Sequence, residues 1–201
     1  MTGGIREDWF PTAIWYFDVE AAPARNERLV AAIRTERERG GGAVRSSVLG
    51  WQSPEDLHLR LDLAGLPEVV LASVFEVARF NRWDLERVVP CLTECWANVN
   101  PRFGSNAVHA HPRAVLSAIY HVQAPEGCGG TFFVDPREGP AAVAPPLAEW
   151  TAWTYDRIVY RAVPGRLLIF PGWLRHGVEP NVGDGERISL NFNVGVVPKA
   201  G

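Results

Sequence analysis

The chain has 201 residues, of which 47% are hydrophobic and 21% are charged, and this composition suits one globular domain with a sizeable core. The formal net charge of -3 does not favour binding to nucleic acid or to an anionic membrane surface. The sequence contains no apolar stretch of about 18 residues and no signal-peptide core at the N-terminus. The three cysteines are odd in number and irregularly spaced, which argues against a disulfide framework. We therefore expect a cytoplasmic protein with reduced thiols and with no nucleic-acid or membrane partner.

The first 85 residues are predicted to contain one strand followed by helices. The strand is indicated by an aromatic, β-prone stretch at 9–17. A helix is predicted over 23–39, with Asn26 or a neighbouring residue as its cap and a run of three glycines after it. Two further helices are predicted at about 54–63 and 66–81, because each has a proline near its start and the second carries an apolar stripe.

After residue 83 the hydrophobic period changes from 3.6 to 2, which indicates strands. Glycine- and proline-rich turns divide the rest of the chain into strands at 87–100, 114–123, 131–135, 156–162, 166–170 and 187–197. The order of helices first and strands later predicts an α+β protein that is mainly β, with a sandwich or jelly roll as its larger part. Residues 1–201 would then form one domain, with a helical part over about 1–85 and a jelly-roll core over about 86–198.

Three of the five histidines form a pattern that is typical of a metal site. His109 and His111 are two residues apart, so on a strand their imidazoles would point to the same face. His176, from a distant strand, would complete a triangle of nitrogen ligands of the kind that iron, copper, zinc or nickel accepts. The pair by itself is weak support, since histidines at this spacing also occur as hydrogen-bonded strand residues. His58 and His121 are not expected in the site, because one lies in a predicted helix and the other points away from the face used by Tyr120.

The surroundings of these histidines contain the His109-Ala110-His111-Pro112 motif together with further characteristic stretches, at 10–12, 50–53, 96–100, 106–112, 116–120, 130–137, 164–171, 176–181 and 187–193. In matching order over most of the chain, these stretches resemble a family of iron(II)/2-oxoglutarate-dependent oxygenases. The resemblance implies the double-stranded β-helix fold, a jelly-roll variant, with the N-terminal helices packed on it.

The resemblance also implies roles for single residues. His109 and His176 match the two metal histidines, and His111 stands where related oxygenases have a carboxylate. We expect His111 to be the third ligand; Asp135 is the alternative, although its carboxylate is also suited to capping the turn at Pro136-Arg137.

The resemblance implies a cosubstrate site as well. Arg187, eleven residues after His176, matches the basic residue that pairs with the far carboxylate of 2-oxoglutarate, and a guanidinium can bind a carboxylate through two hydrogen bonds. Ser189 faces the same way and offers a hydroxyl. Tyr120 is a further candidate for contact with the cosubstrate, or else a core residue.

The activity implied by the resemblance is that of a dioxygenase that uses Fe(II), 2-oxoglutarate and dioxygen, most simply to hydroxylate an unactivated C–H bond. The substrate would be a small molecule or a group linked to a carrier or peptide; neither its identity nor the oligomeric state is indicated by the sequence. Two alternatives remain open. A three-histidine, cupin-like dioxygenase would bind substrate without 2-oxoglutarate, and a non-enzymatic jelly-roll binding module would use the histidines structurally.

Overall fold

A computed structural model describes residues 4–43, 45–137 and 145–199. Helices α1 (Ala22–Glu38), α2 (Leu57–Arg60) and α3 (Leu66–Phe80) lie in the N-terminal part. The strands are β1 (Trp15–Asp18), β2 (Ser47–Val48), β3 (Trp51–Gln52), β4 (Val88–Asn100), β5 (Ser105–His109), β6 (Leu116–Gln123), β7 (Thr131–Val134), β8 (Arg157–Tyr160), β9 (Arg166–Pro171), β10 (His176–Val178) and β11 (Arg187–Pro198). In the described part of the chain, no helix is long and apolar enough to cross a membrane.

The strands form two antiparallel sheets that make a jelly roll. The larger sheet has six strands in the order β1-β9-β6-β11-β4-β3, and the smaller has five in the order β2-β5-β10-β7-β8. Consecutive strands β4, β5, β6 and β7 alternate between the two sheets, as do β9, β10 and β11. This arrangement confirms the predicted double-stranded β-helix with helices added at the N-terminal end.

Strand β11 of the larger sheet has an apolar face toward the helices and a polar face toward the smaller sheet. On β11 the side chains of Ile188, Leu190, Phe192 and Val194 pack in one buried cluster with residues of α1 and α3. The intervening residues Arg187, Ser189, Asn191 and Asn193 are also buried but point to the opposite face. A strand that is buried on both faces, yet alternates apolar and polar residues, directs a row of polar groups into the barrel.

Several short elements differ from the sequence-based predictions. The first strand begins at Trp15 rather than at Trp9, and the segment before it contains Pro11, which lacks a backbone N–H for pairing. Helix α1 begins at Ala22, so Asn26 lies within the helix, is not its cap and is buried. Strands β2, β3 and β10 were not predicted because two or three residues carry no recognisable alternation.

Candidate metal centre

Two neighbouring strands of the smaller sheet bring His109 and His176 together. β5 and β10 pair antiparallel, and the two histidines are direct register partners. Side chains opposite each other in such a pair lie on the same face, so both imidazoles project between the sheets.

His111 reaches the site from a loop, not from the strand that the i, i+2 spacing predicted, because β5 ends at His109. Its backbone N–H donates to the carbonyl of Gly172 at 2.7 Å, and its own carbonyl accepts from the N–H of Ala114 at 2.9 Å. A Cβ at Gly172 would collide with the carbonyls of Ala114 and His111, so glycine is what allows this close approach.

The three imidazoles form a compact triangle. Their ring centroids are 4.9 Å apart for His109 and His111, 4.4 Å for His109 and His176, and 5.2 Å for His111 and His176. One ring nitrogen from each lies within 4.8 Å of the others. His176 is buried, whereas the other two are partly exposed. Three convergent nitrogens leave other coordination positions of a metal ion open to exogenous ligands.

Backbone carbonyls fix the tautomer of two of these histidines. Nδ1 of His109 is 2.8 Å from the carbonyl oxygen of Ala107, and Nδ1 of His176 is 2.9 Å from that of Leu174. A carbonyl only accepts, so Nδ1 carries the proton in both rings and the Nε2 lone pair is left for a metal ion.

Burial also keeps the imidazoles neutral. Desolvation lowers the pKa of His111 to about 4 and that of His176 to about 3, and repulsion from His109 adds to both changes. The pKa of His109 is lowered by desolvation too, against the opposing effect of its hydrogen bond to Ala107. Neutral imidazole is the form that binds metal, so all three are ready to coordinate at neutral pH.

Arg187 lies fully buried on the same inner face of the barrel. Its Nη2 donates to Thr131 Oγ1 at 3.1 Å, and its Nη1 lies 3.5 Å from Ser189 Oγ. Its Nε has no hydrogen-bond partner, and no carboxylate of the described residues lies within ion-pair distance. Desolvation lowers its pKa to about 10. A buried cation without a counter-ion is costly, and a carboxylate ligand would remove that cost.

A row of polar side chains joins Arg187 to the histidines. Asn191 Nδ2 lies 3.5 Å from Ser189 Oγ, and Asn191 lines the same small cavity as His109 and His176. Asn98 lines this cavity too, and its Oδ1 is buried without a hydrogen-bond partner. The cavity measures about 20 Å³, roughly the space of one water molecule. Two buried atoms of this group lack a partner among the described residues, Nε of Arg187 and Oδ1 of Asn98, and they fit a polar ligand that extends from the histidines to the guanidinium.

Residues 94–193 match the model of a protein family described as "Putative 2OG-Fe(II) oxygenase". This range runs from β4 to β11 and contains the three histidines and Arg187. The chain belongs to this oxygenase family. No curated protein sequence matches the oxygenase.

Solved structures resemble the oxygenase along most of its length. The 2-oxoglutarate-dependent carbocyclase SnoK from nogalamycin biosynthesis superposes with a TM-score of 0.66 at 12% identity, over 91% of this chain and 79% of SnoK. A Pseudomonas putida prolyl-4-hydroxylase gives a TM-score of 0.60 at 17% identity, over 90% and 92%. HygX from Streptomyces hygroscopicus, with nickel and 2-oxoglutarate bound, gives 0.59 at 16%, over 92% and 83%. At these identities the similarity establishes the shared fold.

The structure places two neighbouring residues of β6, Tyr120 and His121, differently from what was expected of the site. Tyr120 faces the helices, where its hydroxyl donates to Asn26 Oδ1 at 2.7 Å, so it does not contact a ligand inside the barrel. His121, which was excluded on the sequence, faces the barrel interior, and its Nδ1 is 3.4 Å from Nη2 of Arg187. Tyr120 and His121 do point to opposite faces of β6, as the alternation predicted, but it is His121 and not Tyr120 that faces the barrel interior.

Among the described residues, Asp135 is not part of the three-histidine cluster. Its carboxylate accepts from the backbone N–H and the guanidinium of Arg137, at distances of 2.7 to 3.2 Å. The predicted turn-capping contact is therefore confirmed.

A wider groove opens outside the three histidines. It has a volume of about 540 Å³, and His109, His111 and Trp96 form part of its wall. Its charged residues include the ion pairs Arg45–Glu55 at 3.5 Å and Arg113–Glu94 at 3.6 Å. A substrate in this groove would lie directly against two of the three imidazoles.

Proposed function

We propose that this oxygenase is an Fe(II)- and 2-oxoglutarate-dependent dioxygenase in which His109, His111 and His176 hold the metal. The observation that carries the proposal is the buried Arg187, which has no carboxylate partner among the described residues and is joined by Ser189 and Asn191 to the three-histidine cluster. Under this proposal, the guanidinium of Arg187 binds the far carboxylate of 2-oxoglutarate, and the other end of the cosubstrate binds the metal.

Bound iron would supply the activation of dioxygen, coupled to oxidative decarboxylation of 2-oxoglutarate to succinate and CO2 with transfer of one oxygen atom to the substrate. The protein's own residues bind, orient and shield. Leu174 and Ala107 keep a proton on Nδ1 of His176 and His109, respectively, which directs Nε2 toward the ion. The ring of Phe170, 4.6 Å from that of His176, and the ring of Phe133, at 6.1 Å, exclude water from the buried side.

2-Oxoglutarate is larger than the inner cavity of about 20 Å³. Its binding therefore requires rotation of side chains along the polar row. Asn191 and Asn98 are suited to this because their hydrogen bonds are few or long: Asn191 Nδ2 is 3.3 Å from the carbonyl of Trp96, and Asn98 Oδ1 has no partner.

The substrate would enter through the groove of about 540 Å³ and present a C–H bond beside His109 and His111, with hydroxylation as the simplest outcome. A small molecule, or a group linked to a carrier or peptide, fits a groove that is open and carries both signs of charge. Small-molecule complexes are known for structures of this fold: SnoN with nogalamycin RO and HygX with hygromycin B.

The all-histidine ligand set favours one alternative, a cupin-like dioxygenase that binds its substrate directly to the metal. Arg187 distinguishes the two mechanisms. Arg187→Ala should abolish 2-oxoglutarate binding and succinate formation if the cosubstrate is used, and should leave metal loading and turnover intact if it is not.

The direct test is succinate formation by the Fe(II)-loaded protein, measured with and without 2-oxoglutarate across a panel of small-molecule, peptide and carrier-linked substrates. We expect formation that requires both Fe(II) and 2-oxoglutarate and that disappears in His176→Ala. The absence of succinate with every substrate, together with no binding of 2-oxoglutarate to the metal-loaded protein, would contradict the proposal.

A further inference from the structure

His121 is a buried histidine with no role in metal binding. It lies on β6, its register partner on β11 is Ser189, and its side chain is completely excluded from solvent. Arg187 and Thr131 complete the group, since Nη2 of Arg187 lies 3.4 Å from His121 Nδ1 and 3.1 Å from Thr131 Oγ1. A buried imidazole next to a buried guanidinium is unfavourable when the ring is charged, but a neutral ring can accept a hydrogen bond from the guanidinium.

The hydrogen-bonding partner of His121 fixes where its proton lies. A guanidinium has five N–H donors and no acceptor, so Nδ1 of His121 must accept from Arg187. The ring is neutral, because burial and the charges of Arg187 and Arg166 lower its pKa far below 6.5. A neutral ring that accepts at Nδ1 carries its proton on Nε2. That Nε2–H is buried without an acceptor in the described chain, and Nε of Arg187 is a second unpartnered donor in the same cluster.

We propose that the Nε2–H of His121 donates a hydrogen bond to the far carboxylate of 2-oxoglutarate, beside the guanidinium of Arg187. This inference rests on the proposed function and extends it to a residue that binds the cosubstrate directly. One carboxylate has two oxygens and about four acceptor positions, enough for Arg187, His121 and a hydroxyl of Ser189 or Thr131. The positive charge of Arg187 matches the single negative charge of that carboxylate, and a neutral His121 adds a donor without adding charge. A protonated His121 would leave one positive charge in excess.

Two substitutions separate this role from a purely structural one. The asparagine amide occupies roughly the position of Nδ1 in histidine, and the glutamine amide roughly that of Nε2. His121→Asn therefore keeps the contact to Arg187 and loses the proposed donor, while His121→Gln keeps the donor and loses the contact. The affinity for 2-oxoglutarate is measured by calorimetry on the Zn(II)-loaded protein, and a thermal unfolding curve of each variant checks that it is folded.

We expect His121→Asn to weaken 2-oxoglutarate binding by about tenfold or more, the usual effect of losing one hydrogen bond to a charged group, and His121→Gln to weaken it by less than about threefold. The reverse order would overturn the proposal, because it would mean that His121 acts only by holding Arg187. Equal affinities in the wild type and both variants would overturn it as well.

A measurement on the wild-type protein covers the case in which a variant does not fold. Nitrogen-15 NMR of the Zn(II)-loaded protein should show the His121 ring protonated at Nε2, with that N–H resonance shifting and becoming protected when 2-oxoglutarate is added. An unchanged His121 signal in a protein that binds 2-oxoglutarate refutes this inference alone. Failure of the Zn(II)-loaded wild type to bind 2-oxoglutarate refutes the proposed function, and the inference with it.

Discussion

Replacing Arg187 by methionine should change cosubstrate binding and folding stability in different ways. The substitution keeps a long side chain but removes the buried guanidinium. Truncating one partner of a buried, hydrogen-bonded charge pair weakens binding by about 2–5 kcal/mol, which corresponds to roughly 30-fold to several-thousand-fold in Kd. We expect a loss of this size in the affinity of the Zn(II)-loaded protein for 2-oxoglutarate, measured by calorimetry.

Stability of the ligand-free protein should not fall in the same variant. Burial lowers the pKa of Arg187 in the folded state to about 10, well below its ordinary value, so folding disfavours the charged form, and this cost applies at all pH values below the folded pKa. It amounts to about 3 kcal/mol, comparable with the total for the contacts to Thr131, His121 and Ser189, at about 1 kcal/mol each. The thermal midpoint of Arg187→Met should therefore match or exceed that of the wild type.

Arg28→Met is the matched control, because Arg28 is exposed on α1 and forms a surface ion pair with Asp62. We expect that variant to change neither the 2-oxoglutarate affinity nor the stability by more than about 1 kcal/mol. If Arg187→Met bound 2-oxoglutarate like the wild type and unfolded several degrees earlier, Arg187 would be a structural residue and the assignment of the cosubstrate site would be refuted.

Substitutions at three other positions test individual site assignments. His111→Ala should lower Zn(II) affinity by about tenfold or more, while His111→Asp should retain most of it because a carboxylate is also a good ligand; a wild-type Zn(II) affinity in His111→Ala would exclude His111 as a ligand. Asp135→Asn should leave the metal stoichiometry at the wild-type value, since Asp135 is bound by Arg137, and loss of metal would restore Asp135 as the third ligand. Tyr120→Phe should destabilise the protein by about 1–3 kcal/mol in a denaturant titration, because Asn26 Oδ1 loses its donor, with no change in 2-oxoglutarate affinity.

The alternation along β11 made one feature of the site predictable from the sequence, that Arg187 and Ser189 share a face of the strand. Because period 2 places Arg187, Ser189 and Asn191 on one face, the position of Arg187 relative to Ser189 followed from spacing alone. The same alternation on β6 separates Tyr120 from His121 but does not reveal which of them faces the barrel. That choice depends on tertiary packing: the Tyr120 hydroxyl reaches Asn26 on α1, a contact between residues 94 positions apart.

The loop position of His111 could not be derived from its spacing to His109. It depends on a hydrogen bond to Gly172, which is distant in sequence, and on the absence of a side chain at that glycine. The strand pairing that places His109 opposite His176 could not be predicted from the sequence either, because the three-residue strand β10 is too short to show a periodic pattern. The residues of the triangle were identifiable from the sequence, whereas the elements that bring them together were not.

The most direct test of the site assignment is a crystal structure of the protein with Fe(II) and 2-oxoglutarate, prepared without oxygen. We expect the ion to be bound by one nitrogen each of His109, His111 and His176, and the far carboxylate of 2-oxoglutarate to lie against Arg187 inside the barrel. An ion bound elsewhere or through Asp135, or a cosubstrate carboxylate that leaves Arg187 without a partner, would contradict the account.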